Sequence, residues 1–288
     1  MRMKFAGLCL GLLLGAGLFA TPTPPAGPHQ VDYSAVYCSG FVSDQKVPTE
    51  TYLISGEQSD SKLTFTEGDY VYLNRGADNG VKVGDEYSVL RSVSDPLEVP
   101  WFQWQEKLIK AMGTMYEDEG RVKVVKVHPK VSIARIAFSC AYMQRGDIVR
   151  PFAERPMPPY KDPGAFDHFA PPSGKPVATL VTMAYFAESG GQNSTVYVNL
   201  GAAHGVKVGD YVRFFRQQGT RAEAVYKEPD YQFKTFGFGS TPARYSWNDL
   251  PREVLGEGVV INASKNSATV FVTFSSITLY VGDKVELE

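Results

Sequence analysis

Aspartate follows glycine at five places in the chain, a pairing that could serve calcium binding in an exported protein. The five residues are Asp69, Asp85, Asp147, Asp210 and Asp283. Calcium needs six or more oxygen ligands gathered in one place, and the sequence has no Asp-x-Asp-x-Asp-Gly loop. An aspartate after glycine more often accepts a hydrogen bond from a nearby backbone amide in a turn. We therefore predict turn caps here, with no metal ion and no other cofactor.

Histidine and cysteine could supply acid/base or nucleophilic chemistry, but their spacing does not favour it. The four histidines are His29, His128, His168 and His204, and no two stand at metal-ligand or catalytic spacing. The H-E-x-x-H, G-x-S-x-G and P-loop patterns are absent. A nucleophile built from Cys140 and His128 would require Cys140 to be reduced. The sequence therefore predicts a protein that is not an enzyme.

The acidic run Glu117-Asp118-Glu119 could provide paired carboxylates for glycoside cleavage. Separation in space decides that chemistry, and sequence does not give it. Three consecutive acidic residues are more typical of a solvated turn, and we expect one here.

Aromatic residues concentrate in one segment, where seven fall between positions 226 and 247. The 12% aromatic content of the chain predicts two or three in such a length. Aromatic side chains interleaved with glycine suit a protein-binding or sugar-stacking surface, whereas the alternative is a lid over the second domain. The candidate binding residues are Tyr231, Phe233, Phe236, Phe238, Tyr245 and Trp247.

The N-terminus predicts export. Arg2 and Lys4 precede an uncharged apolar run at 5–20 that is shorter than the roughly 20 residues of a spanning helix. A basic start, an apolar core and a small residue at Ala20 are typical of a secretory signal peptide, and retention as a membrane anchor is the alternative. We expect a location in the periplasm or at the outer membrane, with no spanning segment after cleavage.

Export leaves Cys38 and Cys140 in an oxidising compartment, where they could form a disulfide or remain as two buried thiols. We predict the disulfide. The net charge of -2 gives no sign of a nucleic-acid partner, and 43% hydrophobic with 21% charged residues is a globular composition.

One sequence segment occurs twice. Residues 71–85 read VYLNRGADNGVKVGD and residues 196–210 read VYVNLGAAHGVKVGD, with eleven of fifteen positions identical. Each copy runs into an alternating strand, and a Gly-x-Val strand and a Gly-Asp turn follow later in each half. Each half is therefore predicted to be one copy of the same small β domain.

Lys82 and Lys207 occupy equivalent positions in the two copies of the repeat, as do Arg91 and Arg216. A duplicated basic pair could contact an anionic polymer of the cell wall. The alternative is a solvated barrel edge, where lysine discourages strand pairing.

A helix is predicted near 98–112, because Trp101, Trp104, Leu108 and Met112 fall on one face. We expect it to plug or cover the first barrel. Eight of the 26 residues at 151–176 are proline, which predicts a stiff, solvated linker.

The repeat resembles the C-terminal domain of the flagellar assembly protein T family. The resemblance rests on Gly-x-x-x-Gly-Val-x-x-Gly-Asp after a strand, on a Ser-x-Ala-Arg strand at 132–135 and on a terminal Gly-Asp-x-Val. It covers about half of the mature chain, and Ser267-Ala-Thr replaces Ser-x-Ala-Arg in the second copy. It implies a small β-barrel module used for binding or assembly in the bacterial envelope, without implying a flagellar role.

The sequence thus predicts a mainly β fold of two tandem small barrels or sandwiches, with one short helix in the first. The predicted segments are a signal peptide at 1–20, a Pro-rich segment at 21–35, a first domain at 36–150, a Pro-rich linker at 151–176 and a second domain at 177–288. The expected function is a non-enzymatic envelope binding or assembly module whose partner is an envelope protein. The alternative is a carbohydrate- or peptidoglycan-binding protein that uses the aromatic loop at 226–247.

Overall fold

The structure is a computed structural model that describes residues 29–94, 99–161, 166–217 and 251–288. It also gives the backbone of residues 232–235 and 238–242. The predicted mainly β fold is confirmed. Among the residues described, no helix combines the length and the apolar composition needed to cross a membrane.

In its described residues, the first half contains a seven-stranded sheet, two separate pairs of short strands, and two helices. These elements are β1 (His29–Gln30), α1 (Tyr33–Tyr37), β2 (Phe41–Ser43), β3 (Leu53–Gly56), β4 (Thr64–Phe65), β5 (Tyr70–Leu73), β6 (Glu86–Val93), α2 (Gln105–Met112), β7 (Thr114–Val127), β8 (Ser132–Ser139), β9 (Met143–Gln144), β10 (Ile148–Pro151) and β11 (Pro159–Tyr160). The sheet order is β10-β6-β7-β8-β5-β3, and β2 pairs with β7, whereas β1–β11 and β4–β9 are the two-stranded pairs. The Tyr52–Ile148 bridge and the bond from the Leu53 N–H to the Asp147 carbonyl (2.9 Å) bring its two ends together.

The second half forms a closed barrel. Its strands are β12 (Val177–Met183), β13 (Ser189–Gly190), β14 (Thr195–Val198), β15 (Tyr211–Gln217), β16 (Gln232–Thr235), β17 (Phe238–Pro242), β18 (Arg252–Ala263), β19 (Ala268–Ser275), β20 (Leu279–Tyr280) and β21 (Lys284–Leu287). The barrel order is β12-β14-β19-β18-β15-β21, while β16 and β17 form a separate hairpin.

The two halves share one strand order. In the first sheet the order of neighbouring strands is β3-β5-β8-β7-β6-β10. In the barrel the matching strands come in the order β12-β14-β19-β18-β15-β21. The small pair β4–β9 likewise matches β13–β20. At the closing seam, the Leu180 N–H donates to the Asp283 carbonyl at 2.8 Å, just as Leu53 donates to Asp147.

The repeated glycines form the same turn in each half. A single turn of 3-10 helix follows Gly76 at Ala77–Asn79 and follows Gly201 at Ala202–His204. A Cβ at Gly76 would collide with the carbonyl of His128, and one at Gly201 with the carbonyl of Ser264. These glycines are needed because two backbones approach closely there. A third 3-10 turn lies at Ala184–Phe186.

The helix α2 differs from its prediction in extent and in partner. It begins at Gln105, and the Trp104 side chain ahead of it is 71% exposed instead of lying on the buried face. Val99 and Phe102 join the core of the second barrel, and the Gln105 Nε2 donates to the Val181 carbonyl at 2.9 Å. The expectation that this helix covers the first barrel is therefore wrong. An apolar helix face shows that a core must cover it, but not which core.

The N-terminal segment and the linker are also packed against the barrels. Val31 and Val36 lie against Ile261 and Phe271 on the outside of the second barrel. In the linker, the Arg155 guanidinium contacts both Asp118 carboxylate oxygens at 2.6 and 2.7 Å. The expectation of a solvated linker is wrong at Arg155, since a buried carboxylate partner holds this part of the linker on the first domain.

Candidate functional site

The predicted aromatic site lies largely outside the described residues. Phe233 is in β16 and Phe238 is in β17, which pair with Phe233 opposite Thr241. Tyr231, Phe236, Tyr245 and Trp247 fall outside the described residues. The hairpin belongs to a long insertion at 218–251, between the neighbouring barrel strands β15 and β18. We call this segment the second insertion.

A corresponding insertion occupies the same place in the first half. Residues 94–113 connect β6 to β7, the strands that match β15 and β18, and they contain α2. We call this segment the first insertion. The two insertions therefore leave equivalent strand pairs of two similar barrels.

Cys38 and Cys140 are joined by a disulfide with their Cα atoms 5.3 Å apart. The bond ties the end of α1 to the end of β8, across a sequence separation of 102 residues. The Cys140 N–H donates to the Glu119 carbonyl at 3.0 Å, so this bridge is anchored on β7 as well. A Cys140–His128 nucleophile is incompatible with this arrangement because Cys140 carries no free thiol.

All five glycine-aspartate pairs form the same turn. In each, a carboxylate oxygen of the aspartate accepts the backbone N–H of the residue three positions earlier. The donors and acceptors are Thr66 to Asp69 (2.9 Å), Lys82 to Asp85 (2.9 Å), Gln144 to Asp147 (2.7 Å), Lys207 to Asp210 (2.8 Å) and Tyr280 to Asp283 (2.8 Å). The predicted turn caps are confirmed. Across the described ranges, no group of three or more histidine, cysteine or acidic residues is placed to hold a metal ion.

The duplicated arginines are bound inside the protein. The Arg91 Nε and Nη2 each lie 2.9 Å from an Asp147 carboxylate oxygen. The equivalent atoms of Arg216 lie 2.8 and 2.7 Å from Asp283. Bidentate pairs of this kind are strong and directional, so they fix the last turn of each domain to β6 or β15. These arginines are therefore structural, while Lys82 and Lys207 are exposed.

Asp118 and Glu119 of the acidic run are buried and Glu117 is half-buried, contrary to the sequence prediction of a solvated turn. Glu117, Asp118 and Glu119 lie within β7, and the Glu119 side chain has no exposed surface. Arg91 approaches it with Nη1 at 3.2 Å from Oε1, but Arg91 is already paired with Asp147. Burial, helped by the negative charges of Asp147 and the neighbouring carboxylates, raises the pKa of Glu119 to about 8. The sequence prediction failed because elements distant in the chain bury β7, and the local sequence does not show this.

Glu119 has an apolar counterpart in the second barrel. It lies at a bulge where β6 pairs with β7, since Val89 faces Gly120 and Leu90 faces Asp118. The same bulge in the second barrel contains Leu255, because Phe214 faces Gly256 and Phe215 faces Val254. Leu255 is completely buried.

The outer face of the second barrel is a protein interface within the chain. Val181, Tyr197, Thr269 and Ile261 lie side by side on β12, β14, β19 and β18, and we call them the second outer row. Tyr197 is packed under Met112 of α2, and its hydroxyl donates to the Ser39 carbonyl at 2.6 Å. All four residues of the row are buried.

The equivalent row of the first domain is exposed at both ends and half-buried in the middle. Ile54, Tyr72, Ile133 and Val125 occupy the matching places on β3, β5, β8 and β7, and we call them the first outer row. Tyr72 pairs with Ile133 as Tyr197 pairs with Thr269, while Ile54 and Val125 sit at the same bulges as Val181 and Ile261. Ile54 is 39% exposed against 0% for Val181, and Val125 is 43% exposed against 2% for Ile261. This apolar surface is the candidate interaction site.

Sequence reasoning missed the first outer row. The alternation around Tyr72 shows only that Tyr72 points to the face opposite to that of Val71 and Leu73. Joining it to Ile54 and Val125 requires the register of four strands and the position of two bulges, and no motif in the sequence records these.

No protein-family model matches this chain, and the search of curated proteins found no match.

Proposed function

We propose that this protein is a non-enzymatic, exported module of the bacterial cell envelope, built from tandem copies of one barrel domain. It binds or assembles with envelope proteins through its paired barrel surfaces. One observation carries the proposal: the face that the second barrel uses as a protein interface is exposed on the first domain, at Ile54 and Val125.

The contacts between the domains support a rigid pair of surfaces. The first insertion packs on the second barrel through Val99 and Phe102, and Ser267 Oγ donates to the Val42 carbonyl at 2.6 Å. Because the two barrels share buried apolar and hydrogen-bonded contacts, a partner on one barrel is positioned relative to the other.

The proposed location rests on the Cys38–Cys140 disulfide and on the N-terminal leader. Disulfides persist in oxidising compartments such as the periplasm and are rare in the cytosol. The apolar run at 5–20 behind two basic residues supports export. The repeated motifs that resemble the C-terminal domain of the flagellar assembly protein T family also support a binding role in the envelope.

The test is in-cell cross-linking of the tagged protein in its native envelope, followed by mass spectrometry. We expect near-stoichiometric capture of one envelope protein, a further copy of this chain included, and loss of that capture in the double variant Ile54→Ser, Val125→Ser. The matched control is Val83→Ser, because Val83 is 65% exposed but lies in the turn before β6, outside the row.

Two results would contradict the proposal. Capture that is unchanged by the double variant would show that the first outer row is not the binding surface. Cross-links to wall fragments alone, with co-sedimentation on purified sacculi, would instead favour the carbohydrate-binding alternative.

A further inference from the structure

We propose that the partner of the first outer row is the second insertion of another copy of this chain, so that copies associate head to tail. This inference rests on the proposed function for the binding role of the row, and it adds the identity of the partner.

The first step is the equivalence of the two rows. They lie on matching strands, and the outer residues at both ends of each row are placed by the same bulges. Ile54 corresponds to Val181 and Val125 to Ile261, each an aliphatic residue in both domains. A surface that accepts a neighbouring segment on one barrel is therefore present in the same form on the other.

The second step is what covers the second outer row. Met112 and Leu108, both in the first insertion, pack against Val181 and Tyr197. The first insertion thus covers the Val181 and Tyr197 end of the row, while Val31 and Val36 of the N-terminal segment cover Ile261 at the other end. This part of the row therefore accepts an insertion from the neighbouring barrel.

The third step is that the first outer row has no equivalent cover, since Ile54 and Val125 stay exposed in the single chain. The first insertion covers Val181 and Tyr197, the matching end of the second row. The second insertion leaves β15 and β18 at the same place at which the first leaves β6 and β7. Repeating the contact already seen between the domains would place the second insertion of one copy on the first row of the next.

The composition of the second insertion fits an apolar contact. Seven of its residues are aromatic. Its four basic residues are balanced by four acidic ones. The basic residues are Arg221, Lys227, Lys234 and Arg244, and the acidic ones are Glu223, Glu228, Asp230 and Asp249. Aromatic residues are enriched in the buried centres of interfaces, where charged residues are depleted. We therefore expect association that depends weakly on salt.

The geometry of the association follows from the two surfaces being different. Each copy offers one insertion and one row, so the contact is heterologous and each dimer keeps a free surface of each kind. Such contacts give closed rings or open filaments, depending on the rotation between copies.

The experiment uses the whole mature chain and sedimentation velocity over a concentration series. The row variant is Ile54→Lys with Val125→Lys, and the insertion variant is Phe233→Ser with Phe236→Ser and Phe238→Ser. Wild type should form species larger than a monomer by about 100 μM, within the range of weak specific complexes. Each variant alone should be monomeric, and a 1:1 mixture should form a heterodimer, because one partner keeps the row and the other keeps the insertion.

Controls separate folding from association. Val83→Lys changes a valine that is more exposed than Val125 and lies outside the row, and this variant should associate as the wild type does. If the lysine variant fails to fold by circular dichroism, Ile54→Thr with Val125→Thr replaces it, since threonine keeps the β-branched shape. A weakening of association by about tenfold or more would then support the row as the site.

Three results would overturn the inference. They are a wild type that is monomeric over the whole series, association that survives in either variant alone, and a mixture of variants that stays monomeric. A monomeric wild type whose in-cell cross-links still depend on Ile54 and Val125 would reject self-association and leave the proposed function standing.

Discussion

Arg91 and Arg216 make the same bidentate contact in the two domains, but different residues stand at the bulge beside them. Arg91 has a second carboxylate, Glu119, at 3.2 Å from its Nη1, whereas the corresponding place in the second barrel is taken by Leu255. The framework of turns and arginine pairs is kept in both domains. The two domains differ at the bulge residue, which is Glu119 in the first and Leu255 in the second. They also differ in the outer row, which is exposed at its ends in the first domain and buried in the second.

The largest expected loss of stability follows from removing the aspartate partner of Arg216 or Arg91. Asp283→Ala leaves Arg216 without its buried carboxylate and should lower the free energy of unfolding by about 3 to 5 kcal/mol. Asp147→Ala should cost only about 1 to 2 kcal/mol, because Glu119 is in place to ionise and pair with Arg91. Urea denaturation of the two variants measures the difference. Equal losses would show that Glu119 does not substitute for Asp147.

The disulfide sharpens the comparison because only the first domain has it. In the second domain Ser276 takes the place of Cys140. The Ser276 N–H donates to the Leu255 carbonyl at 2.9 Å, as the Cys140 N–H donates to the Glu119 carbonyl. The double variant Cys38→Ser, Cys140→Ser should lose about 2 to 4 kcal/mol of stability. Reductant should destabilise the wild type to the same level and leave the double variant unchanged. A wild type indifferent to reductant would contradict a stabilising disulfide.

The stability of the protein should depend on pH because Glu119 is buried at the bulge of the first domain. The pKa of Glu119 is raised by burial to about 8, above its unfolded value near 4.5, so between these values the folded protein binds more protons than the unfolded chain. The stability of the wild type should therefore fall as the pH rises from about 5 to 8. Glu119→Leu copies the second barrel and should be more stable than wild type by about 1 to 3 kcal/mol at pH 8.

Glu119→Gln is the matched control for this effect, because it stays neutral while keeping the shape of the side chain. Denaturation at pH 5, 6.5 and 8 should give flatter profiles for both variants than for wild type. If the three profiles run parallel, Glu119 does not titrate in this range.

The smallest expected effect is at the contact between the domains. Tyr197→Phe removes the hydrogen bond to the Ser39 carbonyl and should cost about 1 kcal/mol. Tyr72→Phe makes the same change at the equivalent, half-buried position and should leave the stability within about 0.5 kcal/mol. A larger loss for Tyr72→Phe would contradict the difference in cover between the rows.

Local chemistry was predictable from the sequence, and distant contacts were not. The glycine-aspartate turns were predicted because donor and acceptor lie three residues apart, as in Gln144 and Asp147. The mainly β fold followed from alternation and from the repeat. The partner of α2 was predicted wrongly, since amphipathic spacing does not tell which of two similar barrels the helix covers.

The burial of Glu119 shows the same limit. Three adjacent acidic residues indicate solvent exposure until the partners are known, and those partners come from β6 and from the linker, through Arg91 and Arg155. The first outer row depended on the register of four strands. Both features arise from tertiary pairing, which local sequence does not encode.

The position of α2 has a consequence for biosynthesis. A chain made from its N-terminus completes residues 105–112 long before β12 and β14 exist, so Met112 and Leu108 at first have no second barrel to cover. A nascent first domain therefore carries an uncovered apolar helix until the C-terminal strands arrive. A truncated product that stops in the linker would keep that surface exposed and become a substrate for quality-control proteases.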